Sequence, residues 1–119
     1  MKITTTHSKI ETSTTLKSLI KERLNKDVIR YLESITQIGG RLNVPVYAVG
    51  GFVRDLILNV PNKDIDIVVE GEGIPFAVCL AELFGGKIKS HEKFGTSVVI
   101  LSNGDRIDVA TARTEYYKN

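Results

Sequence analysis

The chain has 119 residues, of which 42% are hydrophobic, so it suits one compact domain with a modest core. The 16 Lys and Arg and 14 Asp and Glu give a net charge of +2, too small to argue for nucleic-acid or membrane binding from charge alone. One cysteine excludes an internal disulfide, and no apolar run has the length of a membrane span. We expect a cytoplasmic protein without a membrane partner; the composition leaves the oligomeric state open.

The first third of the chain predicts helices. Residues 1–13 are rich in Thr and Ser without apolar periodicity, which predicts a loosely packed tail. Apolar residues at helical spacing predict a first helix from Thr14, and Asn25 and Lys26 interrupt that pattern. Asp27 is a suitable N-cap for a second helix that ends between residues 38 and 43.

The rest of the chain alternates strands with short helices. The pair Asn103-Gly104 lies between two apolar runs, which is a strong hairpin signal. Cys79 falls on the apolar side of a helix and is expected in the core. The predicted elements are strands at 46–49, 64–69, 87–92, 96–101 and 106–111 and helices at 52–58 and 75–83. These elements predict an α+β fold with a mixed sheet of about four or five strands, helices on one side, and preceding N-terminal helices.

Two carboxylates open the predicted strand 64–69. Residues two apart in a strand project to the same face, so Asp64 and Asp66 lie side by side while Ile65 points toward the core. Like charges this close repel unless a cation lies between them, and Mg²⁺ is a suitable cation. The alternative is a turn residue followed by a carboxylate on a solvated face.

A glycine pair precedes the helix at 52–58. Gly50 and Gly51 permit close approach of a ligand to the backbone, and a helix N-terminus favours an anion. Arg54 in the first helical turn opposes the helix dipole unless an anion such as phosphate is near. A plain tight turn is the alternative for the glycines, and Asp55 is favourable at a helix start in any case.

Asp108 lies within the predicted strand at 106–111. A carboxylate there is ordinarily on an exposed face. If this strand lies beside the strand of Asp64 and Asp66, three carboxylates converge in the geometry of two-metal phosphoryl or nucleotidyl transfer.

Four blocks in this order resemble the catalytic head of class II tRNA CCA-adding enzymes and bacterial poly(A) polymerases, members of the polymerase-β nucleotidyltransferase superfamily. The blocks are Gly-Gly-Phe-Val-Arg-Asp at 50–55, Asp-Ile-Asp at 64–66, His-Glu-Lys-Phe-Gly-Thr at 91–96 and Ile-Asp-Val-Ala-Thr-Ala-Arg-Thr-Glu-Tyr-Tyr at 107–117. The resemblance extends from about residue 27 to the C-terminus. It implies a polymerase-β-like nucleotidyltransferase head at 27–119, preceded by a tail and linker helix at 1–26.

The resemblance also implies a set of site residues and ligands. Asp64, Asp66 and Asp108 would be the catalytic, metal-binding carboxylates for two Mg²⁺ ions. The triphosphate of ATP or CTP would contact Gly50, Gly51, Arg54 and, with an ion pair to Glu115 or Asp55 as an equal alternative, Arg113. The implied acceptor is the 3′-hydroxyl of tRNA or another RNA.

The family's later Arg-Arg-Asp block, base-selecting neck and tRNA-gripping helical domains are not found in these 119 residues. We therefore expect a fragment of a longer protein, inactive or unselective by itself. The sequence does not distinguish CCA addition, A addition and poly(A) synthesis. The alternatives are a non-catalytic nucleotide-binding or regulatory module and a minimal nucleotidyltransferase acting on a non-RNA substrate.

Overall fold

A computed structural model describes the backbone of residues 2–4, 9–11, 14–61 and 64–112, and the side chains of 18–61 and 64–112. Seven strands lie in these ranges: β1 (Lys2–Thr4), β2 (Lys9–Glu11), β3 (Val46–Ala48), β4 (Asp64–Val69), β5 (Lys87–His91), β6 (Thr96–Ile100) and β7 (Arg106–Thr111). Four α-helices accompany them: α1 (Thr14–Arg23), α2 (Lys26–Leu42), α3 (Gly50–Leu58) and α4 (Gly73–Phe84). A 3₁₀ turn spans Glu92–Phe94.

The strands form one mixed sheet in the order β2-β1-β3-β4-β7-β6-β5. The strands β4 and β7 are parallel neighbours, whereas β3 is antiparallel to β4, and β6 is antiparallel to both β7 and β5. The α+β fold with a mixed sheet is therefore confirmed. The central strands β3 to β7 are the five that the sequence predicted, and β5 lies at the sheet edge as expected.

The prediction of a loosely packed tail at residues 1–13 is wrong for the segments that form β1 and β2. The two segments pair with each other in antiparallel register, and β1 pairs with β3 in parallel. Three-residue strands are too short to show a two-residue hydrophobic period, so their pairing depends on backbone hydrogen bonds that leave no clear sequence pattern. The sheet consequently has seven strands in the described part of the chain.

One hydrophobic core lies on a single face of the sheet. Alternate residues of β4, namely Ile65, Ile67 and Val69, are buried, and they join Phe52 of α3 and Phe76 of α4 in the same cluster. The helix α2 contributes its buried stripe to this cluster as well. The helices therefore cover one face of the central strands, and the other residues of β4 point to the opposite, open face.

The boundaries of α2 explain how the chain turns into the sheet. Its N-cap is Asn25, whose side-chain oxygen accepts a hydrogen bond of 2.9 Å from the Val28 N–H, so the predicted cap at Asp27 is wrong by two residues. Gly39 lies where α2 packs against β3: a Cβ built on it would lie only 3.0 Å from Val46 Cγ2, so the missing side chain has a packing role. Any other residue at this position would force Val46 or the adjoining backbone to shift, so the glycine favours the close packing of α2 against the start of β3.

The hairpin between β6 and β7 is confirmed, and a buried polar network fixes its turn. Gly104, at φ +90°, donates its N–H to the Leu101 carbonyl at 2.9 Å. Asp105 is only 5% exposed, and its Oδ2 accepts from Asn103 Nδ2 at 3.0 Å and from Tyr31 Oη at 3.3 Å. This network ties α2 to the turn that begins β7, and therefore helps to set the position of β7.

The helix α4 begins at Gly73, two residues before the predicted start, and ends at Phe84, one residue after the predicted end, with Gly85 at φ +67° as its C-cap. Cys79 is partly buried and packs against the core. Thr111 Oγ1 accepts a hydrogen bond from the Gly73 N–H and donates one to the Gly95 carbonyl. No helix in the described part of the chain is long and apolar enough to cross a membrane.

Candidate nucleotide and metal site

The parallel pairing of β4 and β7 brings two predicted site residues together on the open face. Asp66 lies directly opposite Asp108 in the register, and Asp64 lies opposite Arg106. The expected neighbouring arrangement of the two carboxylate strands is thus present. Asp66 and Asp108 are half-buried, whereas Asp64 is exposed at the start of β4.

The ionised form of Asp66 is disfavoured in this setting. Burial raises the pKa of the Asp66 carboxyl to about 6, with further upward contributions from a hydrogen bond and the negative charge of Asp108 and from the charge of Asp64. The positive charge of Arg106 acts in the opposite direction. The site therefore favours a proton or another cation between the two carboxylates.

Arg106 is a member of the site that the sequence interpretation did not single out. Its Nη2 donates to Asp108 Oδ1 at 3.2 Å, and both side chains are partly exposed. The signal was available in the sequence, because residues 106 and 108 are two apart in a predicted strand and therefore share a face. Arg106 partly neutralises Asp108 in this structure.

The two carboxylates have oxygen donors of the kind that Mg²⁺ prefers, and the positive charge of Arg106 only partly offsets the causes that raise the pKa of Asp66. Within the described residues, no group of three His, Cys, Asp or Glu side chains has the spacing for a metal site. Asp64 lies on the same face as Asp66 but not within such a group. The donor chemistry of the facing pair fits a hard divalent cation.

The glycine turn lies against the carboxylate pair. Gly50 has φ +70°, and a Cβ built on it would lie 3.5 Å from Asp66 Oδ2. The adjoining Val49 N–H donates to the Asp66 carbonyl at 2.9 Å. The helix α3 starts at Gly50, and its N-cap residue, Val49, makes no side-chain capping hydrogen bond. This helix N-terminus, which attracts anions, therefore begins beside Asp66.

Arg54 lies near the same turn, although in a different setting from the predicted one. The helix α3 begins two residues earlier than predicted, so Arg54 is in its second turn, where the dipole argument is weaker. Its Nε donates to Asp55 Oδ1 at 3.1 Å, which supplies an anionic partner within the chain. A Cβ on Gly51 would lie 3.2 Å from Arg54 Nη2, so the guanidinium folds back over the glycine turn. Arg113 lies outside the described residues.

Asp66 and Asp108 are only half-buried, so the site is accessible from the open face of the sheet. A pocket of about 400 Å³ lies nearby, at the N-terminus of α4, and is lined by residues that include Gly73, Gly95 and Thr111 rather than the carboxylates. The arrangement of Asp66, Asp108 and the glycine turn can hold a divalent cation next to a phosphate.

An α+β sheet with facing strand carboxylates beside a glycine turn is an arrangement suited to chemistry on phosphates. Residues 46–119 match the family model described as the Poly A polymerase head domain. The chain belongs to this family, which confirms the resemblance read from the four sequence blocks.

Relatives of known name support the same assignment. The chain is 47% identical over 100 residues to an A-adding tRNA nucleotidyltransferase from Geobacter sulfurreducens, covering 84% of this chain and 11% of the relative. It is 32% identical over 111 residues to one from Halalkalibacterium halodurans, covering 93% and 26%. Proteins with these names are nucleotidyltransferase enzymes.

Solved structures show the same fold. A CCA-adding enzyme in complex with CTP superposes with a TM-score of 0.80 at 44% identity, covering 85% of this chain and 24% of that one. The Thermotoga maritima CCA-adding enzyme complexed with tRNA gives a TM-score of 0.78 at 44% identity, covering 82% and 24%. The chain thus spans between about a tenth and a quarter of the length of these relatives.

Proposed function

We propose that this chain is the nucleotidyl-transfer head of a tRNA nucleotidyltransferase. In this proposal it positions ATP or CTP so that the 3′-hydroxyl of tRNA, or of another RNA, attacks the α-phosphate and pyrophosphate leaves. The observation that carries the proposal is the register of β4 and β7, which sets Asp66 opposite Asp108 beside the glycine turn. Relatives named as A-adding and CCA-adding enzymes support the choice of RNA as the acceptor.

The carboxylates and the glycine turn have separate parts in this proposal. Asp66 and Asp108, with Asp64 beside them, would hold two Mg²⁺ ions. When bound, the ions would neutralise phosphate charge and lower the pKa of the attacking hydroxyl. Gly50 and Gly51 leave the backbone N–H groups at the start of α3 accessible to phosphate oxygens.

The cationic side chains near the turn complete the nucleotide site. Arg54, whose side chain is 67% exposed and whose guanidinium lies beside Gly51, can exchange its contact with Asp55 for a phosphate oxygen. Arg113 is proposed as a second triphosphate contact on the basis of the family resemblance. In the wider domain arrangement, we propose that 27–119 is the head and that 1–26 is a tail and linker helix.

Calorimetric titration with the four nucleoside triphosphates tests the proposal. We expect Mg²⁺-dependent binding with dissociation constants that agree within about threefold among the bases, which corresponds to less than about 1 kcal/mol. The reason is that the residues assigned here address phosphate and metal rather than the base. The variants Asp66→Asn and Asp108→Asn should lose at least about tenfold in affinity for ATP with Mg²⁺. Glu33→Gln, an exposed carboxylate on α2, is the matched control.

Two results would count against the proposal. Unchanged affinity for ATP with Mg²⁺ in Asp66→Asn would show that the carboxylate pair is not the site. Strong discrimination among the four bases by this chain would show that it holds a base-reading site of its own. Binding without transfer to any RNA primer, measured in a longer protein that contains this chain, would favour the regulatory alternative.

A further inference from the structure

The open face of the sheet has an ordered charge pattern that extends beyond the carboxylates. The register runs from Asp66 to its neighbour Asp108 on β7, then to Val98 on β6, then to Lys89 on β5. Residues that pair directly across neighbouring strands point to the same face. Lys89 is therefore on the face that carries the carboxylates, two strand spacings or about 10 Å from Asp108.

The adjacent row also ends in a lysine on β5, although its β7 residue is Arg106 rather than a carboxylate. Asp64 pairs with Arg106, Arg106 with Ile100, and Ile100 with Lys87 at the sheet edge. In both rows an apolar residue of β6 lies between the β7 residue, Asp108 or Arg106, and a lysine of β5. All five residues of β5 are exposed, and β5 is the terminal strand of the sheet on this side. The open face thus has a cationic border, formed by Lys87 and Lys89.

The other Lys and Arg side chains described between residues 46 and 112 have partners. Arg54 pairs with Asp55, Arg106 pairs with Asp108, and Lys93 Nζ lies 5.8 Å from the ring centre of Phe94. Lys87 and Lys89 form no ion pair within 4 Å with any residue whose side chain the structure describes. Lysines on an edge strand discourage sheet-to-sheet association, and that role does not require them to share a face with the carboxylates.

We infer that the cationic border binds the sugar-phosphate backbone of the acceptor RNA strand, one or more nucleotides before its 3′ end. The inference rests on the proposed function, because it takes the carboxylates as the place of the terminal hydroxyl. Phosphates of the acceptor are repelled by the acidic centre, so the strand needs positive charge within about one Debye length, roughly 10 Å at 0.1 M salt. Val98 and Ile100 lie on β6, between β7 and the two lysines of β5. Val98 is half-exposed and Ile100 is exposed, so they offer an apolar surface for a sugar or base.

Fluorescence anisotropy with a labelled single-stranded oligoribonucleotide tests the inference on the full 119-residue chain. The variant Lys87→Gln/Lys89→Gln removes both border charges and keeps long polar side chains. The control is Lys21→Gln/Lys26→Gln, which removes two charges from exposed positions on α1 and α2. Titrations over a salt series at constant Mg²⁺ give both the affinity and its dependence on salt.

The border variant should bind the RNA at least about tenfold more weakly at low salt. The slope of log affinity against log salt should be shallower by about 1.4, since each phosphate contact on a single strand contributes about 0.7. The control variant should change both quantities much less. ATP binding with Mg²⁺ should be unchanged in the border variant, which shows that its fold and nucleotide site are intact.

Equal losses in the two variants, no loss in the border variant, or no measurable RNA binding by the unaltered chain at low salt would each overturn the inference. The Asp66→Asn variant, titrated with ATP and Mg²⁺ alongside, tests the proposed function separately. If Asp66→Asn loses ATP binding while the border variant keeps full RNA affinity, the inference fails and the proposed function stands. If Asp66→Asn keeps full ATP affinity, the proposed function fails, and with it the inference.

Discussion

Replacing Asp66 with Asn should stabilise the metal-free fold at neutral pH and should abolish the binding of Mg²⁺ at the carboxylate pair. The pKa of Asp66 rises from 3.8 to about 6 in the folded chain. A shift of about 2 units corresponds to about 3 kcal/mol at most, at 1.36 kcal/mol per unit. Solvent screening of this half-buried group reduces the expected effect to about 1 to 2 kcal/mol.

The sign follows from proton binding. Because the folded state holds the Asp66 proton more tightly than the unfolded state, the stability that this proton contributes is fully present below pH 3.8. It is lost as the pH rises through about 6. Asn stays neutral throughout, so the stability of Asp66→Asn relative to the unaltered chain should rise from near zero at pH 4 to about 1 to 2 kcal/mol at pH 7.

Urea denaturation of both proteins at pH 4, 5, 6 and 7 without divalent cations measures this difference. Titrations common to both chains cancel in the subtraction, and Glu33→Gln controls for the loss of one surface carboxylate. Mg²⁺ at tenfold its dissociation constant should add about 1.4 kcal/mol to the unaltered chain and nothing to Asp66→Asn. A difference that does not vary with pH, or an Asp66→Asn chain that is less stable at pH 7, would refute this account of the carboxylate pair.

Two further substitutions probe the supports of the site. Thr111→Val leaves the Gly73 N–H and the Gly95 carbonyl without their shared hydroxyl partner, so it should lower the free energy of unfolding by about 1 to 3 kcal/mol in urea denaturation. Thr111→Ser keeps the hydroxyl and should lower it less. Equal losses in the two variants would contradict the hydrogen-bond explanation. Arg23→Met removes hydrogen bonds of 3.0 and 2.7 Å to the Leu56 and Ile57 carbonyls at the C-terminus of α3. It should lower hydrogen-exchange protection in α3 more than in α4, by about 1 kcal/mol, and unchanged protection in α3 would show that this contact does not support the helix.

Local patterns in the sequence were sufficient for the central sheet. The strand β4 has the predicted bounds. Its first four residues alternate carboxylates with isoleucines, and this period of two places the isoleucines on one face of a strand, whereas a helix would not separate them from the carboxylates. The strand β7 also has the predicted bounds, and the Asn-Gly turn before it is present. In these elements, propensity, patterning and turn chemistry agree with the tertiary structure.

Features that depend on distant contacts were not predictable in the same way. The N-cap at Asn25 and the predicted one at Asp27 are equally good cap residues, and only the packing of α2 selects between them. The start of α3 at Gly50 depends on a left-handed backbone conformation, which sequence permits but does not require. The pairing of Arg54 with Asp55 likewise follows from side-chain placement rather than from spacing alone.

The candidate site itself depends on the longest-range pairing in the central sheet. Asp66 and Asp108 are about 40 residues apart in the chain, and they meet only because β4 and β7 are parallel neighbours. A parallel pair requires a crossover connection, which here consists of α4, β5 and β6. The carboxylate pair therefore does not exist in the unfolded chain, and any cation that it holds must bind the folded state preferentially. Metal binding and folding are consequently coupled, because the pairing that destabilises the metal-free chain, through the burial of Asp66 and its repulsion by Asp108, also supplies the affinity for a cation.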